Sequence, residues 1–124
     1  MGYRSQVAIA IEFKALTKEI ITLFKDADTI YVQEDDFQCV VFYYDSIKWY
    51  DNLYPEIMDK MAPLYKMDEE SPESFGYMRI GEEIGDIDLL GRPSLFGIYT
   101  IQEIQIDDAY PDISADELLK KFQN

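Results

Sequence analysis

The run Phe37-Gln-Cys-Val-Val-Phe-Tyr-Tyr44 anchors the apolar pattern of the chain, with seven of its eight residues apolar or aromatic. A run this short, rich in β-branched and ring side chains, fits a strand covered on both faces. Upstream, Gln6–Phe13 alternates Val7, Ile9, Ile11 and Phe13 against Ala8, Ala10 and Glu12. That predicts a strand with one large apolar face and one small-residue face, the latter leaving room for a closely packed helix. The period then changes. Leu16, Ile20, Leu23 and Phe24 share one helical face over Lys14–Asp26, flanked by Ile21, while Lys14, Lys18 and Lys25 stay outside. Thr29–Gln33 reads as a short strand, and Glu34-Asp35-Asp36 turns it into the Phe37–Tyr44 run as an antiparallel hairpin.

Beyond Tyr44, Asp45 and Ser46 are capping residues. A helical stripe follows: Tyr50, Leu53, Tyr54, Ile57, Met58, Met61, Leu64 and Tyr65. Pro55 cannot sit deep inside a helix. Either one turn forms at Ile47–Asp51 and a second helix starts near Leu53, or the strand runs on to Trp49 and Asn52 caps the helix. The second arrangement predicts a helix from about Asn52 to Tyr65, shortened by Pro63. Met67–Ser74 reads as an acidic loop and Phe75–Ile80 as a strand. Gly81–Pro93, with its three glycines, reads as a turn or bulged strand end and then a loop. Leu95–Ile106 reads as the last strand, with Phe96, Ile98, Ile104 and Ile106 on one face and Tyr99 and Ile101 on the other. Asp107–Asp112 is a second acidic loop. Ser114-Ala-Asp-Glu117 is a capping box, opening a short helix with Leu118, Leu119 and Phe122 on one side and Lys120 and Lys121 near its C-terminus.

The order is β-α-β-β-α-β-β plus a terminal helix, a ferredoxin-like succession. The expected fold is α+β: one domain over residues 1–124, a two-layer sandwich. Its antiparallel-rich sheet has about five strands, with both main helices on one face.

Charge changes the picture more than composition does. The chain of 124 residues carries a formal net charge of −14. Residues 1–66 hold 11 acids and 7 bases, net −4, whereas residues 67–124 hold 14 acids and 4 bases, net −10. Such a surface repels free nucleic acid and anionic membrane and attracts basic partners, although strong charge also serves plain solubility. The apolar runs are too short for a bilayer span, and the first residues hold no apolar signal segment. A cytoplasmic setting is the expectation, consistent with the lone Cys39.

The chemistry-bearing residues exclude more than they suggest. The chain has no histidine, which removes His-based triads and most zinc sites. Cys39 lies in the most apolar run, where a thiol is a core residue rather than a nucleophile. Asp86-Ile-Asp88 and the aspartates at 107, 108 and 112 do not match an EF-hand loop. No Walker loop or dinucleotide glycine fingerprint is present, so no cofactor or metal is expected. Arg79 falls on the face of Phe75 and Tyr77, where it is expected to pair with a carboxylate. Tyr43, Tyr44, Trp49, Tyr50, Tyr54 and Tyr65 crowd one region; most wall the core, and Trp49, Tyr50 and Tyr54 are candidates for a docking surface.

The opening Met1-Gly-Tyr-Arg-Ser-Gln-Val-Ala-Ile-Ala-Ile11 resembles the start of small accessory proteins of tailed bacteriophages and prophages. Ile47–Asp51 and Phe75–Glu83 resemble the same group. The group carries no activity over to this chain. What the resemblance implies is setting: an infected bacterium, where compact acidic proteins inhibit host nucleic-acid-binding defences such as CRISPR effectors. The reading is then a non-enzymatic protein binding a basic, nucleic-acid-binding host protein by nucleic-acid mimicry. Its expected contacts are Glu69, Glu70, Glu82, Glu83, Asp86 and Asp88, with Trp49, Tyr50 and Tyr54. The alternatives are a small ligand-binding module or carboxylate-based enzyme, and a homo-oligomer (a homodimer, for instance) packed through its aromatic surface.

Overall fold

The structure, a computed structural model, describes residues 3–34, 38–49, 54–83, 85–96, 98–100, 104–106 and 111–122. Strand β1 (Ser5–Glu12) lies inside the sheet, and its alternation decides what covers each face. Helix α1 (Lys18–Leu23), strand β2 (Thr29–Gln33) and strand β3 (Cys39–Ile47) follow. Then come helix α2 (Pro55–Glu70) and the antiparallel pair β4 (Phe75–Ile80) and β5 (Ile87–Gly91). Strands β6 (Ile98–Thr100), β7 (Ile104–Ile106) and β8 (Asp112–Ile113) precede the terminal helix α3 (Ala115–Lys121).

Among the described residues the main sheet has six strands in the order β5-β4-β1-β3-β2-β8, each neighbouring pair antiparallel. The inner order β4-β1-β3-β2, with α1 and α2 as the crossovers, is the ferredoxin-like split β-α-β arrangement expected from the sequence. The fold is α+β, a two-layer sandwich. Val7, Ile9 and Ile11 of β1 join Val40, Phe42 and Tyr44 of β3 against Ile20, Ile21 and Phe24, and against Ile57, Met61 and Leu64 of α2. Leu118 of α3 closes the same core. Ring contacts tighten it: Phe24 and Phe42 lie 5.4 Å apart, centre to centre, and Phe13 meets Phe122 edge-on at 5.4 Å.

The small-residue face of β1 holds the main departure from expectation. A hairpin, not a helix, covers it. Residues 95–106 do not form one strand: Pro93–Phe96 is a 3-10 turn, and β6 and β7 pair into a separate two-stranded sheet. Phe96, Ile98 and Ile104 then pack on Ala8, Ala10, Cys39 and Val41. Gly76 permits this approach, because a Cβ there would come within 3.0 Å of the Pro93 backbone. The edge strands come instead from stretches read as loops, Ile87–Gly91 and Asp112–Ile113.

Other boundaries shift for local reasons. The first helix begins only at Lys18, because Thr17 caps it by accepting the Ile20 N–H at 3.2 Å, and Phe13–Ala15 is a 3-10 turn. Asp45 and Ser46 do not cap a helix; β3 runs through them to Ile47. Pro63 does not shorten α2, which continues to Glu70 and so takes in much of the expected acidic loop. Ile57, Met61 and Leu64 are spaced to bury one face, and that packing outweighs the hydrogen bond lost at Pro63. Asp35, Asp36 and Phe37 of the expected hairpin turn, Asn52, and the aspartates at 107 and 108 lie outside the described residues.

Candidate functional site

Strand β5 is the outermost strand at one edge of the sheet. Its alternation sends Asp88 and Leu90 to the helix-covered face, opposite Arg79 and Tyr77 of β4, and sends Ile87 and Leu89 to the other face. The antiparallel register therefore sets Arg79 directly across from Asp88. Arg79 donates from Nε to Asp88 Oδ2 at 2.7 Å and from Nη2 to Asp86 Oδ1 at 2.5 Å. Its Nη1 reaches Ser5 Oγ at 3.0 Å and Asp86 Oδ2 at 3.4 Å. The Tyr3 hydroxyl donates to Asp86 Oδ2 at 2.6 Å and accepts the Glu83 N–H at 2.9 Å. Arg79 and then Tyr3, through these bonds, hold the Asp86 carboxyl below its ordinary pKa. The expected Arg79–carboxylate pairing is thus present, with two carboxylates sharing one guanidinium.

The acids proposed from sequence gather along this edge. Glu82 and Glu83 are exposed in the turn from β4 to β5, and the Arg4 N–H fixes Glu82 at 2.7 Å from its Oε1. At the other end of β5, Asp68 Oδ1 accepts the Gly91 N–H at 3.0 Å, which brings the C-terminus of α2 and its exposed Glu69 and Glu70 to the same edge. Asp86 is half-buried, whereas Asp88 is exposed on β5 itself. Six carboxylates separated in sequence by as much as 19 positions thus bracket one strand of five residues.

The aromatic candidates divide. Trp49 is not a surface residue: it is 5% exposed, and its ring lies 5.2 Å from that of Tyr44. β3 ends at Ile47, and the register shift between its Val7↔Tyr44 and Ser5↔Ile47 pairs brings Ile47, and Trp49 two residues on, to the helix-side core. Tyr54 is half-buried at the N-cap of α2, and Tyr50 lies outside the described residues. Trp49 instead forms an inner wall of a cavity of about 570 Å³ between α2 and the β4–β5 edge. Tyr65, Tyr77 and Tyr3 line it too, and Arg79, Asp86 and Asp88 supply its charge. The Tyr77 phenol is pushed up in pKa, chiefly by burial. The Trp49 indole lies beside that hydroxyl, close enough to offset part of the rise.

Sequence reasoning missed Tyr3, Tyr65, Tyr77 and Asp68 as parts of this site. The signal available was the pair of alternations Tyr77-Met-Arg79 and Asp86-Ile-Asp88, each placing its polar members on one face of a strand. Glycines on both sides of Asp86-Ile-Asp88 made the segment read as a loop. Among the described residues no group of three or more Asp, Glu or Cys side chains converges as a metal site requires. No helix among them is long and apolar enough to cross a membrane.

The fold and edge thus define a small acidic α+β protein with a charged, aromatic-backed cleft. No family model, curated protein or solved structure matches the chain.

Proposed function

We propose that this protein is a non-enzymatic binding protein that docks a basic partner along the β5 edge. The convergence of Glu69, Glu70, Glu82, Glu83, Asp86 and Asp88 on that edge carries the reading. Two further features support it. Glu69 and Glu70 sit in the last turn of α2, which holds no base, although a helix C-terminus disfavours negative charge. Those acids are therefore not there for the helix. Ile87 and Leu89 on β5 are 40% and 56% exposed, an apolar flank beside the acids that suits a docking edge.

A second copy of the chain is the poorer occupant. Pairing two β5 strands would set Asp88 and its flanking acids against their own kind. In the setting that the opening residues suggest, the fitting partner is a nucleic-acid-binding protein of the bacterial cytoplasm, its phosphate-binding groove filled by these carboxylates. Inhibition of a host defence nuclease is one use of such mimicry.

The test is capture from bacterial lysate at low and high salt, comparing the protein with a variant carrying Glu69→Lys, Glu70→Lys, Glu82→Lys and Glu83→Lys. The expected result is a basic nucleic-acid-binding protein retained at low salt, released at high salt and absent from the variant's eluate. The same protein retained by the variant, or at high salt, would overturn the reading.

A further inference from the structure

We propose that β5 accepts a further strand: a short extended segment of the basic partner, of the pattern apolar-basic-apolar, adds antiparallel to its outer edge at Leu89. The inference rests on the reading of the β5 edge as a docking surface and names the form of the segment that docks there.

The β4–β5 ladder fixes which backbone groups face outward. The Gly81 N–H donates to the Asp86 carbonyl at 2.8 Å, and the Arg92 N–H to the Phe75 carbonyl at 2.8 Å. Bonded pairs in an antiparallel ladder recur at every second residue, so Asp88 and Leu90 turn their backbone groups to β4. Ile87, Leu89 and Gly91 turn theirs to the open edge. Two of these three donors are already taken. The Ile87 N–H donates to the Gly85 carbonyl at 3.0 Å, and the Gly91 N–H to Asp68 Oδ1 at 3.0 Å. The Leu89 N–H and carbonyl have no partner among the described residues, and Leu89 is 56% exposed. The chain thus closes both ends of its own edge and leaves the middle open. A donor and an acceptor on one residue are what an antiparallel bonded pair requires, and the outward Ile87 carbonyl offers a third bond.

The β5 side chains set the pattern of the guest. Its residue bonded to Leu89 lies on the face of Leu89 and Ile87, turned away from the helices. Its next residue lies opposite Asp88 on the helix-covered face, and the one after that lies opposite Ile87. The two outer residues are therefore apolar. The central one meets the Asp88 carboxylate, which is 60% exposed, between Glu82 and Glu83 at one end of β5 and Glu69 and Glu70 at the other. A cation complements that position, and an acid would be repelled from it. Ile87 and Leu89 are the observation that charge does not explain. An edge armed only against aggregation carries charge on its open strand, not a pair of exposed aliphatic side chains beside an unpaired N–H and carbonyl.

The probe is the acetylated, amidated pentapeptide Thr-Val-Arg-Val-Thr, titrated into the isotope-labelled full chain while backbone amide resonances and amide exchange are followed. The expected result is a saturable shift led by the Leu89 amide, whose exchange slows at least about tenfold at saturation. Methylating both valine nitrogens removes the guest's ladder donors and keeps its charge, and should weaken binding at least about tenfold. Methylating the arginine nitrogen, which points away from β5, should change it by less than about threefold. Glutamate in place of the central arginine should weaken binding at least about tenfold. Leu89→Pro removes the outward N–H without touching the ladder to β4 and should abolish the titration. Should that variant fail to fold, the methylated peptides put the same question to the unaltered protein. No shift at Leu89, undiminished binding of the valine-methylated peptide, or equal binding of the glutamate peptide would overturn the inference. If the pentapeptide fails while charge reversal at Glu69, Glu70, Glu82 and Glu83 still abolishes partner capture, strand addition falls and the docking edge stands. If it binds through Leu89 while partner capture ignores charge reversal, strand addition stands and the basic nucleic-acid-binding partner falls.

Discussion

Arg79 and Asp88 face each other across the β4–β5 ladder, Nε to Oδ2 at 2.7 Å, and this pair ties the edge strand to the sheet. The guanidinium is only 12% exposed, whereas the Asp88 carboxylate is 60% exposed. Replacing Arg79 by Gln leaves Asp86 and Asp88 as neighbouring carboxylates without their cation, Asp86 keeping the Tyr3 hydroxyl. The expected loss is about 2 kcal/mol at neutral pH, measured by urea unfolding. The loss has a defined pH dependence. The folded-state pKa of Asp86 lies below its ordinary value of 3.8, so its pairing stabilises the fold above that pH. The contribution fades as pH falls from 3.8 through the lower folded value. Wild type and Arg79→Gln should therefore converge in stability on acidification, and a gap that stays constant down to pH 2 would refute the assignment.

Lys60 joins two helices from the inside. Its ammonium donates to the Leu23 carbonyl at the end of α1, lies 3.3 Å from Asp26 Oδ1 and sits 5.8 Å from the centre of the Phe24 ring. Lys60→Met keeps the length of the apolar stem but orphans the Leu23 carbonyl. The expected cost is about 1–2 kcal/mol in thermal or urea unfolding. Lys60→Arg is not an equivalent replacement, because a planar guanidinium fork does not aim its donors as a compact ammonium does.

The fold was legible where one residue pattern served one face. The alternation of Val7, Ile9 and Ile11, the apolar β3 run and the Ser114 capping box all act locally, and their elements stand where the pattern put them. It was not legible where distant residues decide. Nothing near Leu95–Ile106 says that this segment leaves the main sheet. That depends on the small side of β1, some 90 positions earlier, and on Gly76 admitting Pro93. The acids of the candidate site were legible as a set, but their convergence on β5 was not, because Glycine-flanked Ile87–Gly91 reads as a loop until Arg79 is there to hold it. Trp49 was misplaced for a similar reason: the strand that turns it inward continues past the capping residues Asp45 and Ser46.

Gly76 gives a direct test of that long-range dependence. An Ala Cβ at this position meets the backbone of Pro93 rather than the end of a side chain, so the neighbour cannot simply rotate away. Gly76→Ala should destabilise the protein by about 1–3 kcal/mol. Its effect should centre on the hairpin: amide exchange in β6 and β7 should rise more than in β2 and β3. Uniform exchange across the sheet would show that the hairpin is not seated through Gly76.

Tyr44 makes the alkaline limit of the fold predictable. Its hydroxyl donates to Asp26 Oδ1 at 2.6 Å, and burial first, then that hydrogen bond, pushes its pKa well above the ordinary 10.0. Burial raises Tyr77 in the same direction. Both phenols keep their protons in the folded state at pH values where the unfolded chain has lost them. Their contribution is therefore complete below pH 10.0 and declines as pH rises above it toward the folded values. Each tyrosine should add a slope of about 1.4 kcal/mol per pH unit in that window. Tyr44→Phe should cost about 1 kcal/mol at pH 8, from the lost hydrogen bond. The phenylalanine variant has one fewer proton to lose, so its stability should fall less steeply above pH 10.0, and the two curves should approach one another. Urea unfolding at pH 8, 10 and 11 measures both quantities. Parallel curves through that range would mean that Tyr44 is not held neutral by its burial against Asp26.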